Sequence, residues 1–304
     1  MPTRVIFDTD IGTDVDDCVA LALILASPEL QLEGVTCVYG DVLLRARMAL
    51  KLLKLRGRLD VPVMAGMRRT IMNLRPVYWG GHEGKGLLDD EDEKVMPMPE
   101  FAVDYIIRIV MENPGQIHLI CVGPLTNAAM VFLREPKVAQ NLAGLTIMGG
   151  AQRGANGLYL PYGEHNIICD VEAAHIVLSS GAPITLIPLD VTTRVHIRQE
   201  GAAKIRAGGT PYHEAVATQV EIYPPFASRG WTHMHDPLAV AAVIQPDMLS
   251  YELLHVDVET GGRLSAGATL MRAPSDQYPE NARVALGVNV ERFETFLIER
   301  LSQT

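Results

Sequence analysis

The chain has 304 residues, 48% of them hydrophobic and 20% charged, enough to bury a substantial core as one large α/β domain or two small ones. Its formal charge of -10 argues against a nucleic-acid backbone as partner, and no apolar run reaches the roughly 18 residues of a membrane span. No signal-like segment precedes the first apolar strand. The four cysteines (Cys18, Cys37, Cys121, Cys169) stand far apart in apolar stretches without CxxC spacing. The expectation is a soluble cytoplasmic protein with buried, reduced thiols and neither disulfides nor zinc.

Residues 5–7 read as a buried strand, 18–25 as an apolar helix, 32–39 as a strand, 42–56 as a helix and 61–65 as a third strand. This β-α-β-α-β alternation is the pattern of a parallel sheet covered by helices. From 66 to 100 it fails: prolines, a glycine-rich run around His82 and an acidic run at 89–93 make a long loop, expected to be a lid or a binding loop. Regularity resumes with a helix at 101–112, a strand at 117–122, a helix opened by residues 123–127, and a strand at 145–148 ending in Gly149-Gly150. A second irregular stretch reaches Asn166, followed by a helix at 171–179 and a strand at 184–189. Residues 199–245 read as mainly helical, broken near 224–225 and 231–237, and the tail as strands at 253–258 and 283–287 with a helix at 290–301. Without repeats, low-complexity segments or linkers, the expectation is one domain over residues 1–304. Its class is α/β, an open, mainly parallel (mixed) sheet with helices on both faces, Rossmann-like.

Asp8, Asp10, Asp14, Asp16 and Asp17 place five carboxylates within ten residues at the end of the first strand. Such charges repel unless a cation holds them, and hard oxygen donors suit Ca²⁺ or Mg²⁺. One or two would serve as helix caps; five exceed that need. An EF-hand loop needs Gly at its sixth position and Glu at its twelfth. Counting from Asp8 gives Thr13 and Val19, and from Asp10 Val15 and Leu21, so that motif fails. The polar clusters at 8–17, 40–41, 123–127, 149–166 and 190–192 each follow a predicted strand. In an open parallel sheet those strand ends share one edge, where ligands bind. Glu164 and Asn166, two apart and hence on one side, suit the hydroxyls of a sugar. Asp236 either caps the helix begun by Pro237 or ligates a metal, with His235 beside it as proton carrier. His82 in the glycine-rich loop is a second candidate histidine, and Tyr223, Phe226 and Trp231 are candidates to stack on a planar base.

With these residues in place the chain resembles the nucleoside hydrolases, the inosine-uridine type of Ca²⁺-dependent enzymes that cleave the N-glycosidic bond of ribonucleosides. The matching pieces are Asp8-Thr9-Asp10 with Asp16-Asp17, the segment 122–127, Met148-Gly149-Gly150, Glu164-His165-Asn166 with Asp170 and Glu172-Ala173-Ala174, and His235-Asp236-Pro237. They come in the family's order and span nearly the whole chain. The resemblance implies that Asp10 ligates calcium and acts as general base on the water held there. Asp17 would bind the metal with both oxygens, Thr126 through its backbone carbonyl, and Asp236 would complete the set. Asp16 would hold the ribose 2′-hydroxyl, Glu164 and Asn166 the other hydroxyls, Met148 would lie against the sugar, and His235 near the leaving base. It also implies the family's fold, a small-molecule ribonucleoside as substrate and a homodimer or homotetramer.

Some positions depart from the family pattern. Two extra residues separate Asp10 from the Asp pair, so Asp14 competes with Asp16 for its role. Asp41 stands where the substrate side commonly has Asn, and His165 replaces a Phe. The Asn expected six residues before Glu164 is Leu158, with Asn156 as its substitute. The His235-Asp236 pair is similar to the nonspecific or pyrimidine-preferring branch. Two other readings stay open: a Mg²⁺-dependent phosphatase of the dehalogenase type with Asp8 as nucleophile and Asp10 as acid/base, and a nucleoside-binding protein without turnover.

Overall fold

The computed structural model describes residues 1–152 and 162–303. Nine strands form one sheet: β1 (Thr3–Thr9), β2 (Leu30–Cys37), β3 (Val63–Ala65), β4 (Ile117–Cys121), β5 (Leu142–Met148), β6 (Ile184–Ile187), β9 (Leu249–Val258), β10 (Thr269–Arg272) and β11 (Ala282–Val288), in the order β10-β9-β11-β6-β5-β4-β1-β2-β3. A separate two-stranded ribbon pairs β7 (His196–Arg198) with β8 (Trp231–His233). The neighbours from β11 through β3 all pair in parallel, and β9 alone runs against them.

Alternation along β1 sets the two faces. Val5 and Phe7 pack into one apolar layer and Ile6 into the other, none with any exposure. The first layer is built with the helices Asp16–Leu25, Val42–Leu55, Pro211–Ile222, His235–Ile244 and Val290–Leu301, the second with Ala102–Glu112, Thr126–Arg134 and Val171–Leu178. Helix Asp16–Leu25 has no solvent face, since Asp16 to Ile24 are all buried. That fits its run of apolar residues after two acids.

The chain winds outward from β1 through β2 to β3, returns to β4 on the other flank of β1, and winds outward again through β5 and β6. Strand order therefore reverses between β1 and β4, and the crevice beyond their carboxyl ends is where such sheets bind ligands. Segment 66–100 carries only the 3₁₀ turn Asp92–Lys94 and a bridge from Met98 to Met64 beside β3. Where the sequence reading saw irregular chain, the structure adds β7, β8, β10 and a helix His165–Cys169. The predicted strand end at 188–189 instead enters the short helix Leu189–Thr192. All four cysteines are free and buried, and no described helix is long and apolar enough to cross a membrane.

Candidate active site

Two buried helices meet at the crevice by their N-termini. Helix Asp16–Leu25 presents Asp16 and Asp17 in its first turn, and helix His235–Ile244 presents Asp236 in its own. The Asp236 amide donates to Asp16 Oδ2 at 3.1 Å, fixing the two ends together. One carboxylate oxygen from each of Asp16, Asp17 and Asp236 lies within 4.8 Å of the others, and all three residues are buried. Calcium–oxygen bonds run about 2.3–2.6 Å, so one ion reaches all three. The donors are hard oxygens, and the cavity wall around them contains no Lys or Arg among the described residues. The site fits a divalent cation.

Electrostatics agree. Burial, and then repulsion from neighbouring acids, holds Asp16, Asp17 and Asp236 well above the usual carboxylate range. Asp10 is also raised by burial, an effect that the Arg45 guanidinium opposes. Asp10 is brought in by close approach: a Cβ on Gly123 would stand 2.7 Å from Asp10 Oδ1, so the turn after β4 must be glycine. Asn127 in the same segment donates to Asp8 Oδ1 at 2.7 Å and accepts from the Met67 amide at 2.9 Å, tying β1 to the start of the long loop.

The cavity has a volume of about 700 Å³, and its lining includes Asp10, Asp14, Asp16, Asp17 and Asp236 together with Met148, Glu164, His165 and Asn166. The Glu164 carboxylate accepts from the amides of Gly150, Asn166 and Ile167 at 3.2, 2.8 and 3.1 Å. Asn166 Nδ2 donates to the Val122 carbonyl at 2.7 Å. Thr13, Tyr78, His82, Tyr223 and His235 line the cavity as well. His82 Nε2 lies 2.9 Å from the Thr13 carbonyl and its ring tilts against Tyr223. Tyr223 hydrogen-bonds Asp14, and burial pushes its phenol up. His235 Nδ1 is 2.7 Å from the Thr192 hydroxyl. Burial pushes its ring down to about 4, with Asp14 pulling upward and His196 and Arg229 pushing further down.

The structure thus brings Asp10, Asp16, Asp17, His82, Met148, Glu164, Asn166, Tyr223, His235 and Asp236 to one cavity. Two expected residues stand elsewhere. Thr126 is off the cavity wall, its hydroxyl donating to Asp170 Oδ2 at 2.6 Å; Val122, four residues earlier, lines the cavity. Asp41 is also off the wall, because its Oδ1 caps helix Val42–Leu55 by accepting from Leu43 and Leu44 at 3.2 Å. Asn156 and Leu158 lie outside the described residues. Asp8, the nucleophile of the phosphatase reading, is fully buried behind the cavity with Thr36 and Asn127 on Oδ1, so it reaches no substrate. Sequence reasoning missed Arg45, which is wholly buried under Asp10. Its signal was a cation on the apolar stripe formed by Val42, Ala46 and Ala49.

A family model, that of the inosine-uridine preferring nucleoside hydrolases, matches residues 5–295. The pyrimidine-specific ribonucleoside hydrolase RihA of Citrobacter koseri is 32% identical over 320 residues, 99% of each chain. Among solved structures, the plant nucleoside hydrolase PpNRh1 superposes with a TM-score of 0.88 at 29% identity over 100% of both chains. A purine-preferring ribonucleoside hydrolase from Gardnerella vaginalis gives 0.88 at 29% identity, over 99% of this chain and 98% of that one.

Proposed function

Because the chain belongs to the inosine-uridine preferring nucleoside hydrolase family, we propose that its crevice hydrolyses the N-glycosidic bond of ribonucleosides with a calcium ion held by Asp10, Asp17 and Asp236, Asp16 standing beside it. Water adds to the anomeric carbon as the carbon–nitrogen bond breaks, giving ribose and free base. The observation that carries this reading is the buried triad Asp16, Asp17 and Asp236 within one ion's reach. We assign the main-chain oxygen of the set to Val122, which lines the cavity, in place of Thr126. When bound, the cation makes a water easier to deprotonate and orients the sugar diol.

The chain's own residues supply the rest. Asp10 takes the proton from the attacking water at a carboxylate oxygen, which makes the reaction a direct displacement. The surrounding carboxylates favour the positive charge that builds on the ribose in the oxocarbenium-like transition state. Asp16, with Asp14 as the competing acid, holds the 2′-hydroxyl; Glu164 and Asn166 hold the other hydroxyls, and Met148 lies against the sugar. His82, Tyr223 and His235 face the base, and Thr192 fixes the His235 ring so that Nε2 is left for the leaving nitrogen. A pyrimidine-preferring or nonspecific base pocket, a cytoplasmic site of action and a homodimeric or homotetrameric state complete the proposal.

The test is ribose released from uridine, cytidine, inosine and adenosine, with calcium and with chelator, beside an aryl phosphate control. Calcium-dependent ribose without phosphate is the expected result. Tight nucleoside binding with no base release would replace the enzyme by a binding protein.

A further inference from the structure

Arg45 is among the largest side chains in the molecule with no solvent exposure. Burying a guanidinium is costly unless its donors are satisfied, and here they are spent on the two turns that follow β1 and β2. Nε donates to the Tyr39 carbonyl at 2.6 Å, Nη1 to the carbonyls of Asp10 and of Ile11, the latter at 2.9 Å, and Nη2 to the Thr13 hydroxyl at 3.1 Å. Nη2 is also 3.9 Å from Asp10 Oδ2. A counter-charge alone would need none of the three carbonyls; this fork fixes the backbone that carries Asp10.

The same side chain reaches the segment 78–83, which supplies Tyr78, Gly80 and His82 to the cavity wall. The Trp79 ring covers the guanidinium at 5.1 Å, and a Cβ at Gly40, whose φ is +76°, would stand 3.1 Å from that ring. Thr13 accepts from Arg45 and donates to Glu83 Oε1 at 3.1 Å, while Glu83 Oε1 also accepts from the Gly80 amide at 2.5 Å. Arg45, Thr13 and Glu83 form one directional chain of hydrogen bonds, each link polarising the next. We propose that Arg45 is a positioning residue that couples the seating of segment 78–83 to the orientation of the Asp10 carboxylate. This rests on the proposed reaction for its catalytic consequence, and on the structure alone for the coupling.

The experiment compares Arg45→Lys, Trp79→Leu and their combination for kcat, KM and calorimetric calcium binding. Each single change lowers kcat about ten- to a hundredfold with KM within about threefold, the pattern of a misplaced reacting group. The double variant is no slower than Arg45→Lys, because both act in one network. Effects that multiply, or kcat unchanged per calcium-binding site, overturn the proposal. Should Arg45→Lys not fold, Thr13→Val cuts the chain at its middle and takes its place. A second readout needs no turnover. The chain has two tryptophans, so Trp231→Phe leaves Trp79 alone. Its emission shifts with the calorimetric calcium midpoint, and Arg45→Lys abolishes the shift while calcium still binds. Emission unmoved through calcium saturation overturns the coupling. If the wild type releases no ribose yet shows the calcium-linked Trp79 shift, the proposed reaction falls and the coupling stands.

Discussion

At Asp16, Asp17 and Asp236 burial favours the protonated acids, while a divalent cation among them favours the carboxylates. Calcium binding is therefore expected to release protons, and its apparent affinity to rise with pH above the usual carboxylate range. Calorimetry in two buffers of different ionisation heat checks this; identical enthalpies would mean the acids were already ionised. The same residues explain how much of the site was legible in the sequence. Five acids beside an apolar strand and an apolar helix have few explanations besides a cation, so the cluster could be read directly. The backbone donor could not. Any residue type offers a carbonyl, so nothing in a sequence marks which one faces a cation; Thr126 enters through the family resemblance, and the structure turns its side chain to Asp170. A capping acid and a binding acid look alike in a sequence, and the structure shows Asp41 at the cap of helix Val42–Leu55.

Pairs of strands carry their own consequence at β4 and β5. His118 on β4 lies against Gly144 on β5, where a Cβ would meet the ring at 2.5 Å, and its Nε2 is 2.8 Å from Thr146 Oγ1. Burial, helped by Arg283, pushes its ring down to about 4. On acidification the unfolded chain takes up this proton first, so the contribution is complete above about pH 6.5 and lost as pH falls toward about 4. The amount at stake is on the order of 3 kcal/mol. Asp8, pushed up to about 7 by burial, acts in the opposite direction over the same range. The measurement is thus the denaturant midpoint of wild type minus that of His118→Gln at each pH, a difference that should shrink on acidification. Strands of this kind, long or buried on both faces, were legible as apolar runs. β7, β8 and β10 span only three or four residues, too few for a period to show.

Across the whole molecule, the cation site joins Asp16 and Asp17 near one end of the chain to Asp236 more than two hundred residues away. An ion that binds only the folded form stabilises it by mass action, about 2.7 kcal/mol at a hundred times its Kd. Chelation should lower the thermal midpoint accordingly. Asp236→Asn should abolish that calcium response and, by removing one of the crowded acids, raise the midpoint of the metal-free protein. A calcium-independent midpoint in the wild type would count against the site. The sheet that supports this site also has two outer margins, and each ends in a short strand. β3 has three residues and is overlaid by the Met98 amide donating to Val63 at 2.8 Å, and β10 has four. Neither border strand is itself long enough to offer the run of free amides and carbonyls on which a second sheet could template. Border strands this short leave a second sheet little to pair with along either of them, which is one way a sheet is kept from growing into filaments.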